Sequence, residues 1–292
     1  MKKLVLLALV MTTACQNDTR SLERRLDEMN KKLDKIAASG GGGGGAGAAA
    51  PRPQRPEPDR QKTYSVPVEG DPFDGPAAAK VTLVKAYDYA CPYCEKVRDT
   101  MEELHKKYGG DLRVVYKQLV VHPRNAMAGA LAFCAAGKQG KHKDMDRLLW
   151  DKGFKARAMD LSDGPPAAPG AEKVATPPQK CWDSPAGCAN VVGFAQELQL
   201  NVEQFKADMK GACQQQVQGD MKALQQLGVS ATPAFFVNGR FLSGAMPIEN
   251  FVTLIDEELK KANERIQAGT PAASYYQSFV VDKGLKSLQP PG

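Results

Sequence analysis

Leu22, Leu26, Met29, Leu33 and Ile36 are spaced alternately four and three residues apart, with charged side chains almost everywhere between them. That pattern predicts a helix with an a/d seam over residues 18–38. The seam covers about two to three heptads, so a lone helix would be marginal in water, and association with further copies of the chain would bury it. The other reading is a solvated amphipathic helix lying on a membrane. The stretch that follows, "GGGGGAGAAAPRPQRPEPDRQK", has no apolar periodicity. Its first half is a flexible coil and its second is prone to polyproline II, so residues 39–63 predict a tether.

Strand and helix periods begin at residue 64. "TYSVPV" predicts a short edge strand, where Pro67 is tolerable, and "KVTLVKAYDYA" predicts a β-branched strand. "CPYCEKVRDTMEELHKKYGG" predicts a helix closed by Gly109, and "DLRVVYKQL" the next strand. "HPRNAMAGALAFCAAGKQGKHKDMDRLLW" predicts helix, turn, helix. Residues 151–180, rich in Pro, Ala and Gly, predict irregular chain, and residues 186–227 predict helix with a break near Gly211. "TPAFFVNGRFLSGA" predicts a hairpin turning at Asn238-Gly239, and residues 247–267 a last long helix.

Charge separates these regions. Residues 1–63 hold 12 Lys/Arg against 7 Asp/Glu, whereas residues 64–292 hold 27 against 26. A nearly neutral folded part, with no basic run interleaved with aromatics, argues against nucleic-acid binding. Lys2 and Lys3 precede a short apolar run, Leu4 to Met11, and then "TTAC". This predicts an export signal over residues 1–14, too short to span a bilayer. A cysteine placed after a small residue, Ala14, resembles a bacterial lipobox, with Cys15 as the lipidated residue. Thr12 departs from that pattern, and ordinary cleavage nearby is the alternative. With Cys15 set aside, six of the seven cysteines remain, an even number suited to an oxidising compartment.

Cys91 and Cys94 lie where a strand ends and a helix starts. A structural zinc site needs about four ligands. Cys181 and Cys188 do not form a second CxxC, and His105, His122 and His142 are scattered, so no metal is expected. A structural staple across two residues would constrain little chain entropy. A redox centre fits better. Pro92 suits the first helical turn, leaving Cys91 at the helix start. Free backbone N–H groups and the positive end of the helix there favour its thiolate. Cys94, one turn inward, is placed to resolve a mixed disulfide.

"CPYC" after a strand, with "GVSATPAFFVNGR" further along, resembles the DsbA-like thiol-disulfide oxidoreductases of the thioredoxin fold. The resemblance covers residues 64–267. It implies an α/β thioredoxin-like fold across 64–292 with a helical insertion at about 122–227. It also implies a nucleophile at Cys91, a resolving Cys94, and a cis-proline at Thr232-Pro233 that positions an extended substrate segment. Pro92, Tyr93 and Lys85 support the site. No dissociable cofactor is implied, only the Cys91–Cys94 disulfide. The partners implied are cysteine-containing exported proteins and a membrane partner that recycles the enzyme. One position departs: the acid common six residues before the first cysteine is Lys85 here. A cation there would favour thiolate; the alternative is that Lys85 reaches solvent and does nothing.

Turn-forming residues between Cys181 and Cys188 allow that pair to close a small loop, leaving Cys134 and Cys213 to join two insertion helices. His122-Pro123 is expected to be a turn, and Tyr87, Tyr89, Phe235 and Phe236 core residues. The direction of exchange stays open. The insertion favours an oxidase, whereas Thr232 and a seam that could oligomerise the chain favour an isomerase or reductase. A lipoprotein scaffold without catalysis is a third reading. Gln16 in place of Asp points to the outer membrane, on its periplasmic face. Cys15→Ser is therefore expected to release the protein from membranes or block its maturation. Wild-type protein that is already soluble, with a free thiol at position 15, would overturn this.

Overall fold

A computed structural model describes residues 57–155 and 180–288, together with Glu28 and Lys31, both helical. The apolar seam, Cys15, the signal and most of the tether lie outside the described residues.

Strand β2 (Val81–Tyr87) is the centre of the fold, and all seven of its residues are buried. Its β-branched, apolar sequence suits burial on both faces. It pairs in parallel with β3 (Leu112–Gln118) from Val81↔Leu112 to Tyr87↔Gln118. On its other side it pairs antiparallel with β4 (Ala234–Val237). β4 turns into β5 (Arg240–Ser243) through Asn238 and Gly239, whose φ values of 44° and 83° make the left-handed pair that a two-residue hairpin needs. A Cβ on Gly239 would meet the Tyr64 carbonyl oxygen at 2.5 Å, so the turn also requires glycine for space. A short β1 (Phe73–Asp74) pairs with β3, giving the order β1-β3-β2-β4-β5.

The crossover from β2 to β3 runs through α1 (Pro92–Lys96) and α2 (Arg98–Tyr108). Val97 breaks what the sequence predicts as one helix. Gly109, with φ 49°, ends α2 as expected. After β3 come α3 (Pro123–Lys138) and α4 (His142–Leu148), then α5 (Ala189–Glu197), α6 (Val202–Lys210) and α7 (Ala212–Gln226). The hairpin follows, then α8 (Ile248–Gln267) and α9 (Ala272–Tyr276). Helices α3 to α7 pack into one apolar cluster with Tyr87, Tyr89 and both CPYC cysteines.

Several expectations need correction. "TYSVPV" forms no strand. Thr63 and Tyr64 make isolated bridges to Arg240 and Leu285, and Pro67 has no N–H with which to continue a ladder. Residues 149–155 form a π-helical turn that extends α4, where irregular chain was expected from 151, because Leu149 and Trp150 are buried. A second break, at 198–201, separates α5 from α6. Asn201 caps α6 by accepting from the Gln204 N–H at 3.0 Å, a signal the sequence carried. The long α8 is not the last helix; α9 and a further π-helical turn, Gln277–Val281, follow it.

The disulfides pair Cys134 with Cys213 (S–S 2.03 Å), tying α3 to α7, and Cys181 with Cys188 at the entrance to α5. They close 79 and 7 residues of sequence respectively. Chain-closure entropy then assigns about 4 kcal/mol to the first and about 2 kcal/mol to the second. Urea unfolding of the Cys134→Ala/Cys213→Ala and Cys181→Ala/Cys188→Ala double variants is expected to show the larger loss in the first.

Candidate active site

The register of the sheet assembles the site. Ala86 pairs with Ala234, so the residues preceding β4 arrive beside the end of β2. The Thr232-Pro233 peptide there is cis. On the β2 side the chain turns at Asp88, whose carbonyl oxygen accepts from the Cys91 N–H at 3.1 Å. Cys91 then caps α1, its carbonyl accepting from Cys94 and Glu95 at 3.1 and 3.3 Å. Pro92, in the first turn, would have had no intrahelical acceptor for an N–H in any case. Cys91 and Cys94 are free thiols, and Cys94 is 0% exposed. The Cys91 thiol donates to the Thr232 carbonyl at 3.3 Å.

The two thiols differ sharply. Hydrogen bonding from the Cys94 thiol is the first reason that the Cys91 pKa falls from 9.0 to about 5. Burial opposes the fall. The Thr232 side chain and the backbone N–H groups of Cys94 and Tyr93 add to it. The Thr232 hydroxyl is buried with no hydrogen-bond partner while Cys91 is a thiol; a thiolate offers it an acceptor. Burial pushes the Cys94 pKa well up, and the charge of Lys85 opposes this only weakly.

The structure brings Cys91, Pro92, Cys94, Thr232 and Pro233 together. Tyr93 instead turns its ring to solvent, 58% exposed, under the Lys96 ammonium, and contributes its backbone N–H. Lys85 is 2% exposed, its ammonium 4.9 Å from the Tyr87 ring centroid, so it does not reach for solvent. Tyr87, Tyr89, Phe235 and Phe236 are buried. His122 precedes α3 with its ring nitrogen Nδ1 3.3 Å from Asp88.

Sequence reasoning missed Asp88. It is fully buried. One carboxylate oxygen accepts from the Ala90 N–H at 2.7 Å. The other accepts from Val121 and His122 N–H at 2.7 and 2.8 Å. An Asp just before a turn is a familiar local signal, but its tie to residues 121 and 122 is not visible in the sequence.

Residues 68–257 match a family model described as Thioredoxin. The chain belongs to the thioredoxin family. Two curated relatives are named Na(+)/H(+) antiporters. NhaA of Herminiimonas arsenicoxydans is 30% identical over 189 residues, covering 64% of this chain and 25% of that protein. NhaA 1 of Salinispora arenicola is 31% identical over 192 residues, covering 63% and 24%. The chain thus spans about a quarter of the length of these relatives. Among the described residues, no helix is long and apolar enough to cross a membrane.

Among solved structures, oxidised BdbD from Bacillus subtilis is similar with a TM-score of 0.53 at 20% identity, covering 70% of this chain and 100% of that one. A double cysteine-to-alanine variant of alpha-DsbA1 from Wolbachia pipientis is similar with a TM-score of 0.51 at 15% identity, covering 69% and 96%. These likenesses are of the DsbA-like thioredoxin fold.

The asymmetry of the thiols yields a pH prediction. A thiol at about 5 in the folded state and 9.0 ordinarily stabilises the reduced, folded protein. That contribution is complete above 9.0 and lost as pH falls through about 5. Brief iodoacetamide treatment near neutral pH should label Cys91 and spare Cys94, with the labelling rate falling only as pH drops toward about 5. Preferential labelling of Cys94 would overturn the assignment of roles.

Proposed function

We propose that the chain is an exported thiol-disulfide oxidoreductase that passes a disulfide from Cys91–Cys94 to cysteine-containing exported proteins. Membership of the thioredoxin family supports thiol-disulfide exchange in general. The observation that carries the finer reading is the pairing of an activated Cys91 with a buried Cys94 opposite cis Thr232-Pro233.

In the oxidising direction, a substrate thiolate attacks the Cys91 sulfur of the disulfide. The Cys91–Cys94 bond breaks, and Cys94 leaves and takes a proton. A second substrate thiolate attacks the substrate sulfur of the mixed disulfide. The new substrate disulfide forms and Cys91 leaves as thiolate. A sulfur with a pKa near 5 is a good leaving group, and stabilising the reduced form makes the disulfide a stronger oxidant. This favours the DsbA-like oxidase over the isomerase or reductase, toward which Thr232 and the apolar seam at 22–36 point. The extended backbone beside Pro233 holds the substrate segment.

The setting belongs to the same proposal. Cys15 anchors the chain by lipid to the outer membrane on its periplasmic side, residues 18–38 associate copies of it, and a membrane redox partner reoxidises it. No dissociable cofactor is used.

Equilibration with glutathione tests the direction. The expected potential lies at the oxidising end, above about −180 mV; a value near −270 mV would make the protein a reductant or isomerase. Insulin reduction by the parent, lost in Cys91→Ala, is expected of an enzyme. An inactive parent would leave the scaffold reading.

A further inference from the structure

The two disulfides of the insertion are built differently. Cys134 and Cys213 are 3% and 0% exposed, and they join two long helices, α3 and α7. Cys181 and Cys188 lie 7 residues apart, in the loop that leads into α5. Cys188 is 5% exposed, whereas Cys181 is only half-buried and open to attack from solvent.

The short loop does not depend on its sulfur–sulfur bond for its shape. The Ser184 N–H donates to the Cys181 carbonyl at 3.2 Å, and the Gly187 N–H to the Ser184 carbonyl at 3.0 Å. The Ser184 hydroxyl accepts from the Ala186 N–H at 3.2 Å. From α6, Lys206 donates to the Pro185 carbonyl at 3.2 Å; from α7, Gln214 donates to Asp183 at 3.4 Å. These contacts hold the two sulfurs near each other when the bond between them opens. A bond across so short a loop also removes little chain entropy. It therefore adds little as a staple, and it can open and close again without unfolding the chain around it.

Cys188 sits where a departing sulfur is well received. It is the N-cap of α5, with extended backbone (φ −84°, ψ 106°), and its carbonyl accepts from the Val192 N–H at 2.9 Å. Its side chain makes no capping hydrogen bond. The first N–H groups of a helix have no acceptor within it, and together with the positive helix end they favour a thiolate. Cys91 holds the same place at the start of α1.

We propose that Cys181–Cys188 is a second exchange site, which takes a small aliphatic thiol at Cys181 and so follows the thiol balance around the protein. The thiolate of the small thiol attacks the half-buried Cys181 sulfur. A bond from Cys181 to the incoming sulfur forms, the Cys181–Cys188 bond breaks, and Cys188 leaves as thiolate at the start of α5. A second small thiolate attacks the small-thiol sulfur of this mixed disulfide. Cys181 leaves as thiolate, and the two small thiols depart joined as their own disulfide. Two thiols are thus oxidised and the loop disulfide is reduced; the protons of the two thiols pass to the cysteines or to water. The reverse sequence closes the loop again. The proposal does not rest on the CPYC pair.

Glutathione buffers of stepped ratio, applied to the oxidised full-length protein, test this. Acid quenching, alkylation with N-ethylmaleimide and peptide mapping read the three cysteine pairs separately. Loop closure alone gives Cys181–Cys188 an equilibrium constant for opening about fortyfold larger than that of Cys134–Cys213. In buffers that half-open the short loop, Cys134–Cys213 should therefore stay closed, and the glutathione adduct should map to Cys181. Two pairs that open together, a short loop that opens last, or an adduct on Cys188 overturns the proposal. The Cys91→Ala/Cys94→Ala variant should give the same result at Cys181 and Cys188. If the short loop no longer opens in that variant, it is served only through the CPYC pair, and the second site falls. A Cys91–Cys94 pair that does not exchange with glutathione at all would instead overturn the proposed function and leave this site standing.

Discussion

A carboxylate with no exposed surface must be met by donors wherever the chain can bring them, and Asp88 is met from two directions. Ala90 supplies a local N–H. Val121 and His122, at the end of β3 and the entrance to α3, supply two more. Leaving such a group unsatisfied would cost several kcal/mol. The turn that launches α1 and the point where the insertion leaves the thioredoxin frame are therefore held as one unit. The Asp88 backbone takes part too: its carbonyl accepts from Cys91, and its N–H hydrogen-bonds to the Cys94 sulfur and lowers that pKa. The placement of both thiols thus depends on one short segment between β2 and α1.

That dependence accounts for what the sequence made legible. The strand Val81–Tyr87, the CPYC helix start and the hairpin at Asn238-Gly239 carry their own local instructions: a β-branched, apolar run, Pro at the first turn, and residues tolerant of positive φ. Cys91 and Cys94 were readable for the same reason, since their chemistry follows from where a strand meets a helix. The sources of the Cys91 shift were less readable. Backbone N–H groups and the helix end are the sources the sequence suggests, yet the Cys94 thiol comes first. In so short a helix, the side chain one turn on is a nearer donor than the summed peptide dipoles.

Residues whose roles depend on distant chain were not legible. "TYSVPV" has the composition of a strand, but its partners are Gly239 and Leu285, each met by one or two hydrogen bonds. Propensity predicts a pleated segment, and only tertiary pairing decides whether a ladder forms. Asp146 lies in the charged run "KHKDMDRLLW", which reads as a solvated helix face until Tyr89 and Trp150 are placed around it. Lys85 shows the same limit in reverse: a lysine in a strand suggests an edge, and here two tyrosine rings enclose it.

The insertion is therefore more than a cap on the thioredoxin frame. Its hydrophobic helices supply the walls around Tyr87, Tyr89 and Cys94, and the Cys134–Cys213 bond ties two of those walls together. It also contributes polar groups that the frame needs. Lys117 on β3 would be a buried cation; Asp220 from α7 meets it at 2.8 Å, and Asp71 meets it at 2.6 Å. Asp220 also accepts from the Gln118 N–H, and the Gln118 side chain donates to Tyr87. Tyr87 contacts Tyr89, and Tyr89 donates to Asp146. A continuous hydrogen-bonded path thus runs from α7 through β3 and β2 to α4. Buried polar networks of this kind rigidify the groups they join, although the Gln118 Oε1 within it has no hydrogen-bond partner. Residues far from the cysteines in sequence therefore constrain Tyr87, one of the two rings between which Lys85 lies. The reactivity of a four-residue motif likewise depends on chain that arrives from far away, as Thr232 does at the Cys91 sulfur (141 residues apart).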